Sequence, residues 1–277
     1  MSPVIPAVLS SIASGIGFFL VLSSYFWIRY YVLQRRNLAV WKCQPDRWPS
    51  RAILWRDLAW GSFNLLWAST LSGLFTHYMV AGGRTAVYFS PTERGIPWLI
   101  GSTVLYFCIV EFLLYWSHRL FHTPFLFRWI HRWHHRTVAP TALNSPSMHP
   151  AEYLVYQMLT ALPLFFLPLY GGSVMLILLL NFSAGMLQHS GVLIYLGIPG
   201  VPSTLFHDDH HRYFHCNYGL TFTIIDRLYG TLRRKDRRYG VDVFGGKGST
   251  APSVEQGHGF VDYHRPTPEP AWPATGG

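Results

Sequence analysis

Residues 153–206 read YLVYQMLTALPLFFLPLYGGSVMLILLLNFSAGMLQHSGVLIYLGIPGVPSTLF, 54 positions without a single Asp, Glu, Lys or Arg. A helix that crosses a bilayer needs about 20 mostly apolar residues, so this run is long enough for two passes. Pro168, Gly171 and Gly172 are turn formers and predict a helical pair with its break there. Pro163 predicts a kink in the first member. Two full passes and a shallower hairpin both fit the pattern.

The same poverty of charge extends toward the N-terminus. Positions 1–28 and 58–83 carry no charged residue, and positions 95–117 carry only Glu111. These stretches predict helices near 6–32, 58–80 and 97–121. The first lacks the basic start of a signal peptide and is long enough to span, so it reads as a retained helix. The expected fold is all-α: a polytopic membrane helical bundle of about four to five membrane helices with a cytosolic, histidine-rich helical cap. Three segments are expected: 1–57 as an N-terminal membrane helix and basic linker, 58–243 as the membrane and cap domain, and 244–277 as a disordered tail rich in Gly, Pro and Ser.

Whole-chain composition agrees. Half of the 277 residues are hydrophobic and 13% are charged, against about 25% in soluble domains. Basic residues set the orientation. If residues 33–57, 118–152 and 203–277 are cytosolic, 20 of the 22 Lys and Arg fall on or next to that side, and only Arg84 and Arg94 fall opposite. The net charge of +9 is then a topology signal with affinity for anionic headgroups, and nucleic acid is not an expected partner. Cys43, Cys108 and Cys216 are too few and too dispersed for a disulfide framework or a Cys-rich zinc site.

Against this apolar background the chain holds 14 histidines and only 13 acidic residues. His118-Arg-Leu-Phe-His122 ends the third predicted helix, and i, i+4 spacing puts both rings on one face. His131-Arg-Trp-His134-His135 and His207-Asp-Asp-His210-His211 share a second spacing, HxxHH. His149 and His189 stand alone. One such motif is commonly structural or incidental. Three of them on one expected side of the membrane are not, because random placement would scatter several into the opposite loop and the tail. Only His77 faces the other way, and only His258 and His264 fall in the tail. Metal binding follows. Neutral imidazole suits zinc, iron, copper and nickel. A structural zinc takes about four ligands, so the eight histidines of the three clusters are too many for one ion. Ten, with His149 and His189, suit two ions with about five nitrogens each. Iron with open positions activates dioxygen and is the first candidate.

HxxxH, HxxHH and a later HxxHH in a multi-pass chain resemble the histidine boxes of the fatty acid hydroxylase/sterol desaturase superfamily of membrane di-iron oxygenases. Glu111 and Tyr115 ahead of the first box, His149-Pro150-Ala151-Glu152, Asn217-Tyr218-Gly219 and Asp226-Arg227-Leu228-Tyr229-Gly230-Thr231 are similar to further segments of that superfamily. The likeness covers about residues 100–235 and is nearest in look to sterol desaturases and sterol methyl oxidases. It implies metal ligands at His118, His122, His131, His134, His135, His207, His210 and His211, with His189 as the additional histidine between the boxes. Some fatty acid hydroxylases have HxxxH at that point, where this chain has Gly185. His149 either supplies the missing imidazole or holds the loop before the fourth helix. Residues 111, 115, 118 and 122 form one helical stripe. Glu111 or Tyr115 is thereby placed to bond the outer nitrogen of a ligand histidine.

The resemblance implies an O2-dependent oxidoreductase with two iron ions that hydroxylates or desaturates a membrane lipid, a sterol first of all. The alternative within the family is a sphingoid-base or fatty-acyl hydroxylase. The non-enzyme alternative, a membrane metal transporter, would need ionisable groups in mid-bilayer on several helices. The sequence has neither a GxGxxG after a strand nor an HPGG haem motif, so electrons are expected from an external donor such as cytochrome b5 and its reductase. The implied location is the endoplasmic reticulum, or the inner membrane of a bacterium, with the active site facing the cytosol.

Overall fold

The computed structural model describes residues 4–250 and 259–264. Among them the chain is helical and forms no strand, only isolated bridges. Helix α1 (Val4–Phe26) continues through a π-helical turn, Trp27–Val32. A short helix α2 (Leu38–Trp41) leads to α3 (Arg51–Val80). Then come α4 (Ile96–Phe121), α5 (Pro124–Trp129), α6 (Pro150–Ala161), α7 (Gly171–Gln188), α8 (Leu205–Tyr213) and α9 (Ile224–Tyr229).

Five of these helices, α1, α3, α4, α6 and α7, run between two ends. At one end Tyr31 donates to the Ser190 carbonyl at 2.9 Å, Arg56 bonds Thr137, and His131 meets Glu152. At the other, the loop after α3 meets the turn between α6 and α7: Ala86 N–H donates to Leu164 O at 2.8 Å and Tyr88 N–H to Leu169 O at 2.9 Å. The expected break at Pro168, Gly171 and Gly172 is this turn.

Three helices are long and apolar enough to cross a membrane: Val4–Val32, Ile96–Phe121 and Gly171–Gln188. That is fewer than the four to five expected, for two reasons. Helix α3 has the length, but Asn64 and a series of Ser, Thr and Gly dilute its apolarity. Helix α6 has 12 residues before Pro163 draws the chain into a 3-10 turn. The molecule is an integral membrane protein: a helical bundle crowned by a histidine-rich cap.

Lipid tails are as apolar as Leu, so helices in a bilayer associate by close packing rather than by the hydrophobic effect. The α1–α3 contact shows this. A Cβ at Gly73 would lie 2.6 Å from the Cα of Val8, and one at Gly15 would lie 2.4 Å from the Ser69 hydroxyl. Asn64 anchors α3 to the cap by donating to the carbonyls of Pro146 and Met148 at 2.8 and 2.9 Å.

The chain beyond 244 departs from the expectation of a disordered tail over residues 259–264. Val261 and Tyr263 are buried against Phe206 and Leu232. Their backbone is also tied in: Val261 N–H donates to Arg233 O at 3.0 Å, and Ser203 N–H donates to Tyr263 O at 2.8 Å. His264 reaches the Thr223 hydroxyl at 3.1 Å. A short apolar-aromatic segment inside a Gly- and Pro-rich stretch finds a slot in the cap. Residues 244–250 are also described, with Ser249 bridged to Arg238, whereas 251–258, His258 among them, and 265–277 lie outside the described residues.

The close approach at Gly73 sets a test. Gly73→Val should lower the melting temperature in detergent by an amount equivalent to about 1–3 kcal/mol, the cost of overpacking. Gly17→Ala, where an added Cβ meets nothing within 4 Å, should be neutral or slightly stabilising. Equal melting temperatures for Gly73→Val and the parent would refute the close-packed α1–α3 interface.

Candidate metal centre

Nine histidines gather at the cap in two groups. His118, His122, His131, His135 and His210 form one, and His134, His189, His207 and His211 form the other. Within each group the ligand atoms lie within 4.8 Å of one another. The groups abut: the rings of His135 and His211 are 4.6 Å apart, and those of His131 and His134 are 5.5 Å apart.

Different elements deliver the rings. The last turn of α4 carries His118, and His122 is its C-cap. His131, His134 and His135 lie on one 3-10 helix, His131–Arg136. The rings part along it: His134 enters one group while His131 and His135 enter the other. His189 is the C-cap of α7. Helix α8 carries His207, His210 and His211.

Seven of the nine outer nitrogens have fixed partners, while Nδ1 of His135 and of His207 is buried without one. Nδ1 of His118 faces Tyr218 O at 2.8 Å, that of His134 faces Ser147 O at 3.2 Å, and that of His189 faces Gly185 O at 2.7 Å. Nδ1 of His210 faces Cys216 O at 2.7 Å, and that of His211 faces Thr137 O at 3.0 Å. A carbonyl can only accept, so each of these rings donates Nδ1–H outward and turns a bare Nε2 inward. His131 is held instead by the Glu152 carboxylate, 2.5 Å from its Nδ1. His122 is held by His215, Nδ1 to Nδ1 at 3.0 Å. His215 donates its Nε2–H to Val241 O at 3.1 Å, which leaves its Nδ1 to accept from His122.

The inner nitrogens have no such partners. Nε2 of His122, His131, His135, His210 and His211 is buried without a hydrogen bond. In the second group, Nε2 of His189 sits 3.0 Å from Nε2 of both His134 and His207. A buried unsatisfied polar atom costs about 1–3 kcal/mol, so five cost on the order of 10 kcal/mol. That rivals the whole stability of a typical domain, about 5–15 kcal/mol. Metal ions would give those lone pairs an acceptor, and the residues present fit that role. Burial first, and neighbouring imidazoles second, hold His122, His135, His207, His210 and His211 well below the ordinary histidine value of 6.5. Burial likewise brings His189 down to about 4. These rings are neutral near pH 7, the form that binds metal.

Three sequence expectations meet a different arrangement. His149 lies in neither group: its Nδ1 accepts from Ala151 N–H at 3.2 Å and caps α6. The second group therefore has four rings, not five. Glu111 accepts from the backbone and hydroxyl of Thr221, at 3.2 and 2.8 Å, and Tyr115 pairs with the Thr231 hydroxyl at 2.8 Å. Both tie α4 to the 217–231 segment rather than to a ring, because the chain after α8 folds over that stripe of the helix. Asp208 accepts from Gln44 at 2.7 Å, and Asp209 from Arg233 and Tyr263 at 2.9 and 2.7 Å. Sequence reasoning missed Glu152 and His215. The signal for Glu152 was a carboxylate beginning an apolar helix, which needs a buried partner. No spacing rule marks His215. It reaches His122 because Phe214 takes a left-handed φ of 68° and turns the chain sharply after α8, a conformation costly for a bulky residue.

The description "fatty acid hydroxylase" belongs to the family whose model matches residues 103–231. A Delta(7)-sterol 5(6)-desaturase of Gibberella zeae is 30% identical over 153 residues, covering 54% of this chain and 47% of that protein. Fatty acid hydroxylase domain-containing protein 2 of Homo sapiens is 34% identical over 148 residues, covering 51% and 42%. A very-long-chain aldehyde decarbonylase of Oryza sativa is 32% identical over 148 residues, covering 48% and 53%. The chain spans about half the length of the relatives it matches. No solved structure matches it. Eight of the nine clustered histidines lie in the three sequence boxes inside the matched segment, which runs from α4 through α9. Over residues 103–231 the chain is similar to the fatty acid hydroxylase/sterol desaturase superfamily.

Proposed function

We propose that this protein is a membrane lipid oxygenase that holds two iron ions in its two histidine groups and uses O2 to hydroxylate or desaturate a lipid, first of all a sterol. One observation carries the reading: two adjoining sets of five and four imidazoles sit where three apolar helices end. A histidine-rich transporter would place such groups in mid-bilayer, whereas these lie at helix ends and in cap loops.

Bound iron would supply an oxidant able to remove hydrogen from an unactivated C–H bond. The protein's own residues prepare the place. Backbone carbonyls, Glu152 and His215 hold seven of the nine rings by their outer nitrogens. The cap buries the centre and excludes bulk water, which protects a reactive species from side reactions. A lipid substrate reaches it from the bilayer. Near the cap end of α1 and α3 a cavity of about 560 Å³ is lined by Leu20, Phe26, Trp27, Tyr31, Leu58 and Leu143 among others, with Arg51 as its charged residue. Its size falls within the range of about 300–1,000 Å³ common for small-molecule sites. The sterol preference rests on the likeness to proteins named as Delta(7)-sterol 5(6)-desaturases. The fatty-acyl alternative has a like footing in the hydroxylase-domain protein and the aldehyde decarbonylase. Two electrons come from outside, from a donor such as cytochrome b5 with its reductase. The concentration of Lys and Arg at the cap end supports an active site on the cytosolic face, of the endoplasmic reticulum or a bacterial inner membrane.

Metal analysis with an optical spectrum tests the reading. About two irons per chain and no haem band are expected, and a single zinc or a haem band would end it. Expression in a host lacking such activities, followed by mass spectrometry of its lipids, should reveal an oxidised or desaturated sterol. His134→Ala should abolish that product, and retained activity would remove His134 from the centre.

The neutral rings add a pH test on the metal-free protein. Folded-state values lie below the unfolded value of 6.5, so the unfolded chain takes up protons first as pH falls. Stability is full above that value and is lost on the way down toward the folded values. The melting temperature should fall steadily from about pH 7 to about pH 5. A flat profile would show that these rings are not held neutral.

A further inference from the structure

Asp57 lies in the first two turns of α3 and is fully buried. Its Oδ2 accepts from the Thr137 hydroxyl at 2.8 Å and from Asn144 Nδ2 at 3.4 Å. Its Oδ1 accepts from the Ser147 hydroxyl at 3.0 Å and from Arg56 Nη2 at 2.6 Å. The Arg56 guanidinium bridges on to the Thr137 hydroxyl at 2.5 Å. A buried carboxylate is costly unless paired and hydrogen-bonded, and this one has donors on both oxygens.

The two hydroxyl donors are not arbitrary. Thr137 is the residue whose carbonyl faces His211 Nδ1, and Ser147 is the residue whose carbonyl faces His134 Nδ1. One carboxylate thus grips, by their side chains, the two residues that aim two of the four rings in the second group. Asn144 adds a third link, since its Nδ2 also approaches His134 O at 3.5 Å. No ring of the first group is reached this way. His118 and His210 are aimed by Tyr218 and Cys216, His131 by Glu152, and His122 by His215.

We propose that Asp57 is a positioning residue for one metal site only: by clamping Thr137 and Ser147 it orients His211 and His134, and so sets the affinity of the four-histidine group independently of the five-histidine group. The inference rests on the metal-binding reading above. It makes the two sites separable, with Asp57 in the bundle governing one and Glu152 governing the other. Outer partners of ligand histidines typically change metal affinity by about 10–100-fold when lost.

The experiment is a cobalt(II) titration of the metal-free, full-length protein in detergent, followed by the visible absorption of bound cobalt. Wild-type protein should fill two sites. Asp57→Asn keeps one acceptor oxygen where two hydroxyls need one each. It should weaken one site by about 10–100-fold and leave the other as in wild type. Glu152→Gln should weaken the opposite site, with a different part of the spectrum lost. Thr137→Val and Ser147→Ala each remove one hydroxyl. They should shift the same site as Asp57→Asn by less, and they decide the matter if Asp57→Asn does not fold. Asp57→Asn weakening both sites alike, or neither, or sharing its spectral loss with Glu152→Gln, overturns the clamp. Wild-type protein that binds fewer than two cobalt ions refutes instead the two-metal reading beneath it.

Discussion

A buried imidazole has two nitrogens, and this cap is organised by the need to give each of them something different. The outer nitrogen requires an acceptor, or the ring has no fixed tautomer. The inner one requires a Lewis acid, or a lone pair is stranded away from water. Backbone carbonyls at Thr137, Ser147, Gly185, Cys216 and Tyr218 meet the first need. Those carbonyls come from segments far apart in sequence. The loop 137–147, the end of α7 and the turn after α8 must therefore all be in place before these five rings are all aimed.

That demand explains the rigidity of loops that would otherwise be exposed connectors. The loop between residues 137 and 149 is buried and cross-linked to α3 through Asn64 and Asp57. The 217–231 segment is tied to α4 through Glu111 and Tyr115. Asp226 fixes it internally by accepting from the N–H groups of Tyr218 and Gly219 at 2.8 Å each. The apolar helices act as the frame to which these polar segments are fastened, and their few acidic residues are the fasteners.

Much of this was legible in the sequence. Long uncharged runs mark the helices because a bilayer tolerates few alternatives, and α4 and α7 fall within a few residues of where those runs predict them. The histidine spacings identify most of the centre because helical geometry brings i, i+3 and i+4 together. What was not legible is long-range. His131 and His134 share one motif yet enter different groups, although i, i+3 spacing favours one side. Glu111 lies on the same stripe as His118 and was, with Tyr115, expected to bond a ligand histidine, but Thr221, 110 residues away in the chain, occupies it. His149, open between ligand and loop anchor by residue type, is a helix cap by position. Each case is decided by which distant backbone arrives alongside, and no local pattern encodes that.

Helices α4 and α7 both terminate in histidines of the centre, and α8 carries His210 and His211 in its last turn. A helix presents about half a negative charge at its C-terminal end. Three such ends therefore converge on a place lined by histidines. Backbone dipoles lend this site a cation-attracting potential beyond what the imidazoles supply. That potential is built from peptide groups and survives any substitution of a single histidine.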